Sequence, residues 1–206
     1  MHEGTPLILS VDIGTTNIKA GIVDAGGRVL RVAQRELPMT RDQSGRAEHD
    51  PYMLWDSFRD ICQQVTEGYG QNVAALVLSA YQLSLLAVNE QGEPLTGIIT
   101  LLDTRPQQTY AQLLERVDVH RLYRHTGCPP LFHYPLSKVF WLKTAHREVF
   151  DKARWFVGAK DYLMYRLTGR WVTEASLGTA TQLMNLHTLQ WDAYALEVLD
   201  LEAERL

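Results

Sequence analysis

The stretch from Leu7 to Asp24 limits the fold more than any other, because it reads as a strand, a tight polar turn and a second strand. Leu7, Ile8, Leu9 and Val11 make a short apolar run suited to a buried strand. Asp12 follows, then Gly14-Thr15-Thr16-Asn17 turns the chain, and Ile18 to Val23 alternates as the hairpin partner. Gly14 admits backbone conformations that other residues resist, and it lets a ligand approach the main chain closely. The N–H groups of such a turn, with the hydroxyls of Thr15 and Thr16, can form an anion-binding concavity. Asp12 can hold Mg²⁺ directly or through water, since hard cations take oxygen ligands. Lys19 adds a positive charge nearby. The same residues also suit an ordinary hairpin with a polar turn. A P-loop is excluded, because the Gly-Lys-Ser/Thr ending is missing and a strand, not a helix, follows.

Beyond the hairpin, Asp24-Ala-Gly-Gly27 is a turn and Val29 to Leu37 a third strand, which completes an antiparallel meander. Residues 38–48 are polar and read as loop. Asp50 suits a helix N-cap and Pro51 the first helical position, with Leu54, Phe58, Ile61 and Val65 on one face. Gly68-Tyr-Gly70 ends that helix. Val73 to Ser79 is continuously apolar and reads as a buried strand parallel to the first, since a helix intervenes. Leu85 to Val88 and Gly97 to Leu101 are strands flanking the turn Asn89–Gly92. Asp103 and Thr104 are placed to cap a helix bearing Tyr110, Leu113, Leu114 and Val117. Further helices are expected at Val119–Thr126, within Leu131–Lys143, at Leu163–Leu167 and after Trp191-Asp192. Trp155–Val157 and Trp171–Thr173 read as short strands, and Asp161 as a helix cap.

Several of these stretches together resemble the FGGY family of carbohydrate kinases, within the actin-like and ribonuclease H-like ATPases. Asp12-Ile-Gly-Thr-Thr-Asn-Ile-Lys19 looks like the family's first phosphate-binding hairpin. The acidic-Asp-Pro helix entry with Trp55, the Asp103-Thr-Arg105 strand end, and Pro135, Lys138 and Trp141 of the first family signature extend the likeness. The Asp161-Tyr162 helix and the run from Glu174 to Leu186 carry it to the end of the chain. Three places depart: Tyr81-Gln82 stands where the gluconate- and xylulose-kinase branches carry a Met-His or similar pair, Leu101 replaces a tryptophan, and His133 stands where the first signature expects an aromatic or small residue. Those two branches are the nearest in appearance. The resemblance implies an α/β ribonuclease H-like fold, a mixed sheet opening with a three-strand antiparallel meander and flanked by helices.

The same resemblance implies transfer of the γ-phosphoryl of ATP, with Mg²⁺, to a hydroxyl of a sugar, sugar acid or polyol. Asp12, Gly14, Thr15, Thr16, Asn17 and Lys19 would hold the nucleotide's phosphates, with Asp12 also the metal residue. Tyr81, Gln82, Asp103, Arg105, His133 and Tyr134 would line the acceptor site. Tyr81 and Gln82 can hydrogen-bond hydroxyls, and Arg105 can pair with a carboxylate. Lys138 reads as structural or as an ion-pair partner, not catalytic. The whole chain, 1–206, corresponds to the family's N-terminal domain. The actin-like C-terminal domain, with the general-base aspartate, is expected to lie outside it, so the chain alone is expected to be inactive and to hold no catalytic residue. A non-catalytic sugar-binding module and an actin-like ATPase of other function are the competing readings.

The bulk numbers read as a soluble, cytoplasmic domain. A net charge of −4 gives no electrostatic reason to expect nucleic acid or an anionic membrane. The two cysteines, Cys62 and Cys128, form no Cys-x-x-Cys pair and read as reduced thiols. The opening residues carry no basic region and apolar core of a leader, and no apolar run is long enough to span a bilayer. His120, His125, His146 and His187 fall in no metal-ligand spacing. The partners expected are a small-molecule acceptor and the C-terminal domain, with a homodimer left open.

Overall fold

The computed structural model describes residues 6–206; apart from Pro6, the opening residues in which no leader was read lie outside that range. The strands are β1 Leu7–Ile13, β2 Asn17–Asp24, β3 Val29–Glu36, β4 Thr40–Arg41, β5 Ala47–His49, β6 Val73–Ala80, β7 Leu86–Val88, β8 Ile98–Ile99 and β9 Trp155–Val157. The helices are α1 Pro51–Thr66, α2 Gln107–Leu114, α3 Val119–Thr126 and α4 Pro135–Ala145, followed by α5 Arg147–Lys152, α6 Ala159–Thr168, α7 Ala175–Thr179 and α8 Ala193–Leu199. They divide into two compact units: residues 6–39 with 49–81, and residues 40–48 with 82–206.

The first unit is the meander, α1 and β6. Burial alternates strictly along β1, with Leu7, Leu9, Val11 and Ile13 inward, as a half-buried strand requires. β1 pairs antiparallel with β2 from Leu7↔Asp24 to Ile13↔Ile18, and β2 pairs antiparallel with β3. α1 begins as its sequence dictates: the Asp50 carboxylate accepts from the N–H of Tyr52 and Met53, ahead of Pro51. Its buried stripe of Leu54, Phe58, Ile61 and Val65 lies on the sheet, and truncating any one of these to alanine costs about 2–5 kcal/mol. β6 returns parallel to β1, pairing Leu9 with Leu76 and Asp12 with Ser79, so the order is β3-β2-β1-β6. This is the expected ribonuclease H-like opening, a mixed sheet started by a three-strand meander.

In the second unit α4 is buried almost all round. Leu136, Val139, Phe140, Trp141 and Leu142 lie in one core with Leu85, Ala87, Ile99, Phe156 and Leu199. β7 pairs antiparallel with β9, and Leu85 bridges Ile99. Asp192 caps α8 through its carboxylate, and Gly127 and Gly169 end α3 and α6 in the left-handed region.

Four local expectations are corrected here. β6, read as a buried strand, is parallel to β1 as expected, but it is largely exposed, with Leu76 at 38% and Val77 at 54%. Residues 38–48, read as loop, contain β4 and β5, which form a three-stranded sheet with β8. Trp171–Thr173 is not a strand; Trp171 instead stacks on Tyr165, with centroids 4.0 Å apart and planes 6° from parallel. Asp103 and Thr104 do not cap α2, which begins after Pro106 with no side-chain cap. The Asp103 carboxylate is drawn to Arg105 and to the N–H of Ala47 instead. Cys62 and Cys128 are free thiols, and burial pushes Cys62 up to about 11.

Candidate functional site

In the first unit the turn between β1 and β2 spends its carbonyls on the protein and leaves donors over. Gly14 N–H donates to the Asn17 carbonyl at 2.9 Å, which closes the turn. A Cβ on Gly14 would lie 3.1 Å from that same oxygen, so a side chain here presses on the turn it helps to form. The Thr16 carbonyl accepts from Leu37 N–H at 2.8 Å, and the Thr15 carbonyl lies 3.0 Å from His49 Nε2. The N–H and hydroxyl groups of Thr15 and Thr16 have no acceptor among the described residues. Such a set is open to an external anion. Asp12 is exposed at the end of β1, across from Lys19 on β2 and Ser79 on β6.

Tyr81 belongs to this unit and is anchored beside the turn. Its N–H donates to the Ile13 carbonyl at 2.9 Å, and its hydroxyl lies 2.8 Å from His49 Nδ1. Burial raises its phenol above the usual range, so the proton stays on. His49 is 1% exposed. In the sequence it is one more residue at a helix entry, and its position immediately before Asp50-Pro51 is the only local signal.

The second unit holds Gln82, Asp103, Arg105, His133 and Tyr134. Asp103 is fully buried. Its carboxylate accepts from the N–H of Ala47 and of Arg105, both at 3.0 Å, and from Arg105 Nη2 at 2.6 Å. Arg105 also donates to Glu48, which is paired with Arg46 at 2.7 Å, and its guanidinium lies 4.8 Å from the centroid of the Trp141 ring. Lys138, also fully buried, donates to the carbonyls of Leu83, Ile99 at 3.2 Å and Thr100 at 2.8 Å. Burial pulls its amine down to about 7, with the Asp103 charge pulling the other way. His133 Nδ1 donates to the Leu101 carbonyl at 3.0 Å, and Tyr134 stands immediately before α4. The segments bearing Gln82, Asp103 and His133 thus converge on the first turns of α4. Leu83, held by Lys138, has a φ of 60°, a strained value for a leucine that re-aims the chain after the exposed Gln82. Asp161 is the expected cap, accepting from Gly158 N–H at 2.8 Å.

The family model described as "FGGY family of carbohydrate kinases, N-terminal domain" matches residues 7–206. A gluconokinase of Bacillus subtilis (strain 168) is 29% identical over 203 residues, which is 98% of this chain and 40% of the relative. The crystal structure of a gluconate kinase from Lactobacillus acidophilus superposes with a TM-score of 0.93 at 31% identity, covering 98% of this chain and 41% of that one. A ligand-bound xylulose kinase from Lactobacillus acidophilus gives 0.92 at 31% identity, with the same coverage. The chain therefore spans about 40% of the length of the curated relatives it matches. These findings bear out the family resemblance read from the motifs. The chain belongs to the FGGY family of carbohydrate kinases, to the part described as that family's N-terminal domain.

Proposed function

We propose that this chain is the phosphate- and acceptor-binding half of an ATP-dependent kinase that phosphorylates a hydroxyl of a sugar, sugar acid or polyol. The observation that carries this reading is the β1–β2 turn, where Thr15 and Thr16 keep uncommitted donors beside the exposed Asp12. Phosphoryl transfer relies on positioning and charge neutralisation more than on covalent chemistry by the protein, and such a turn supplies both. Gly14 and Asn17 shape it, Thr15 and Thr16 hold phosphate oxygens, and Lys19 adds positive charge.

Mg²⁺ fits the residues present. Among the described residues no group of three His, Cys, Asp or Glu forms a metal cage, and Mg²⁺ characteristically takes one or two carboxylates plus water and phosphate oxygens. Asp12 would be its protein ligand, and the ion would neutralise charge on the transferring group.

The acceptor-side contacts in this reading are Tyr81 in the first unit and, in the second, Gln82, Arg105, His133 and Tyr134. Asp103, read from the sequence as a sugar contact, acts in this proposal by holding Arg105. The general base belongs to a C-terminal domain joined to this one, and the enzyme works in the cytoplasm. Among the described residues no helix is long and apolar enough to cross a membrane, which is compatible with that setting.

A coupled ADP-release assay with gluconate, xylulose and glycerol tests the proposal. The polypeptide joining this chain to its C-terminal domain should turn over ATP with at least one of them, and the 206-residue chain alone with none. Acceptor-independent hydrolysis by the joined polypeptide, or turnover by the chain alone, would overturn it.

A further inference from the structure

His49 links two groups that the proposed reaction uses separately. Its Nε2 is 3.0 Å from the Thr15 carbonyl in the phosphate turn, and its Nδ1 is 2.8 Å from the Tyr81 hydroxyl. A carbonyl oxygen only accepts, so Nε2 carries the hydrogen, and in the neutral ring Nδ1 is then the acceptor. The Tyr81 O–H donates to it. The rings meet edge-on, with centroids 5.3 Å apart and planes at 64°. Tyr81 is therefore fastened to the turn twice, by its N–H to Ile13 and by its hydroxyl through His49 to Thr15. With the His49 ring neutral, the phenol's one proton is committed, and its oxygen has only lone pairs left to offer.

We infer that His49 is a positioning residue that registers Tyr81 against the phosphate turn, and that the bridged Tyr81 oxygen accepts a hydrogen bond from a hydroxyl of the substrate. The inference rests on the reading of the turn as phosphate-binding and of Tyr81 as an acceptor-side contact. In-line transfer needs the reacting atoms about 3–3.5 Å apart and aligned. A buried ring spanning Thr15 and Tyr81 holds the donor-side and acceptor-side contacts at a constant separation. The committed proton also sets specificity. A carboxylate or ketone oxygen has no hydrogen to give, so only a hydroxyl is recognised at this position.

Imidazole ¹⁵N spectra of the 206-residue chain read the bridge without any turnover. Nε2 should be protonated and Nδ1 not, and Tyr81→Phe should shift the Nδ1 resonance. The opposite tautomer, or an Nδ1 signal indifferent to Tyr81→Phe, overturns the bridge. In the polypeptide joined to its C-terminal domain, two substitutions separate the two arms. His49→Gln keeps a donor near the Nε2 position and loses the Tyr81 arm; His49→Asn keeps an acceptor near Nδ1 and loses the Thr15 arm. The first should raise KM for the acceptor about tenfold with KM for ATP little changed, and the second should do the reverse. Equal losses in both constants together with a lowered Tm would mean a packing role and overturn the inference. If the unsubstituted polypeptide shows no acceptor-dependent turnover, the functional reading fails and the substrate role falls with it, while the spectra still decide the bridge.

Discussion

The β1–β2 turn and the Asp103–Arg105–Glu48 cluster are both dense in polar groups, and they treat them in opposite ways. In the turn, Thr15 and Thr16 retain donors that no described residue satisfies, and Asp12 stands exposed. In the cluster every charge is answered: Asp103 by Arg105 and two backbone N–H groups, Glu48 by Arg46 and Arg105. Nearby, the Lys138 ammonium donates to three carbonyls. An unsatisfied polar set at a surface invites a ligand, whereas a saturated buried one orders the chain that carries it. Chemistry at the turn should therefore be cheap to delete in stability and costly in binding, and the cluster should behave the other way round.

The largest effect tests the cluster. Arg105→Met leaves two nearly inaccessible carboxylates, Asp103 at 0% and Glu48 at 5% exposure, without their shared cation. Urea unfolding should show a loss of about 3–5 kcal/mol. A loss comparable with that of a surface substitution would erase the contrast between the two regions.

Lys138→Met comes next. It leaves the carbonyls of Leu83, Ile99 and Thr100 without their donor, at a cost of about 1–3 kcal/mol at neutral pH. Its pH dependence sharpens the comparison. With the folded-state value near 7 against an ordinary 10.5, the unfolded chain binds more protons than the folded one between those values, so this group adds stability as pH rises through that window. The unsubstituted chain should gain Tm on Lys138→Met from pH 7 upward. Parallel curves would mean that the carbonyls and Asp103 hold the proton throughout, and that the amine stays charged.

The smallest stability effect belongs to the turn. Thr15→Val and Thr16→Ala should shift unfolding by no more than about 0.5 kcal/mol, as solvent-facing substitutions do. Nucleotide affinity of the joined polypeptide, measured by calorimetry, should fall about tenfold for each lost phosphate contact. A large stability loss with unchanged affinity would make this an ordinary polar hairpin turn.

Legibility from the sequence followed the range of the forces involved. The meander, α1 with its Asp50-Pro51 entry and the parallel direction of β6 were legible. Each rests on periodicity or on a cap within a few residues of chain. The exposure of β6 was not legible, because its continuous apolar run looks the same whether or not anything covers it. β4 and β5 were not: Thr40–Arg41 is short and exposed, and Ala47–His49 is a polar-looking triplet that is nonetheless buried. Glu48 is tolerated inside because Arg105, far along the chain, neutralises it. Trp171 failed as a strand residue because stacking on Tyr165 outweighed a local β preference. The turn residues were legible as a candidate phosphate site, since Asp12, Gly14, Thr15 and Thr16 lie together in the chain. His49 was not, because its partners Thr15 and Tyr81 are brought to it only by the sheet and helix around it.

By itself, then, the sequence determined the family, the order of the first unit's elements and the residues of the turn, all of them carried by short-range patterns. The tertiary structure alone decided which polar groups are spent and which are left over. Hydrogen bonding and charge neutralisation depend on atoms within a few ångströms in space, and for Glu48, Asp103, Lys138 and His49 those atoms come from distant parts of the chain.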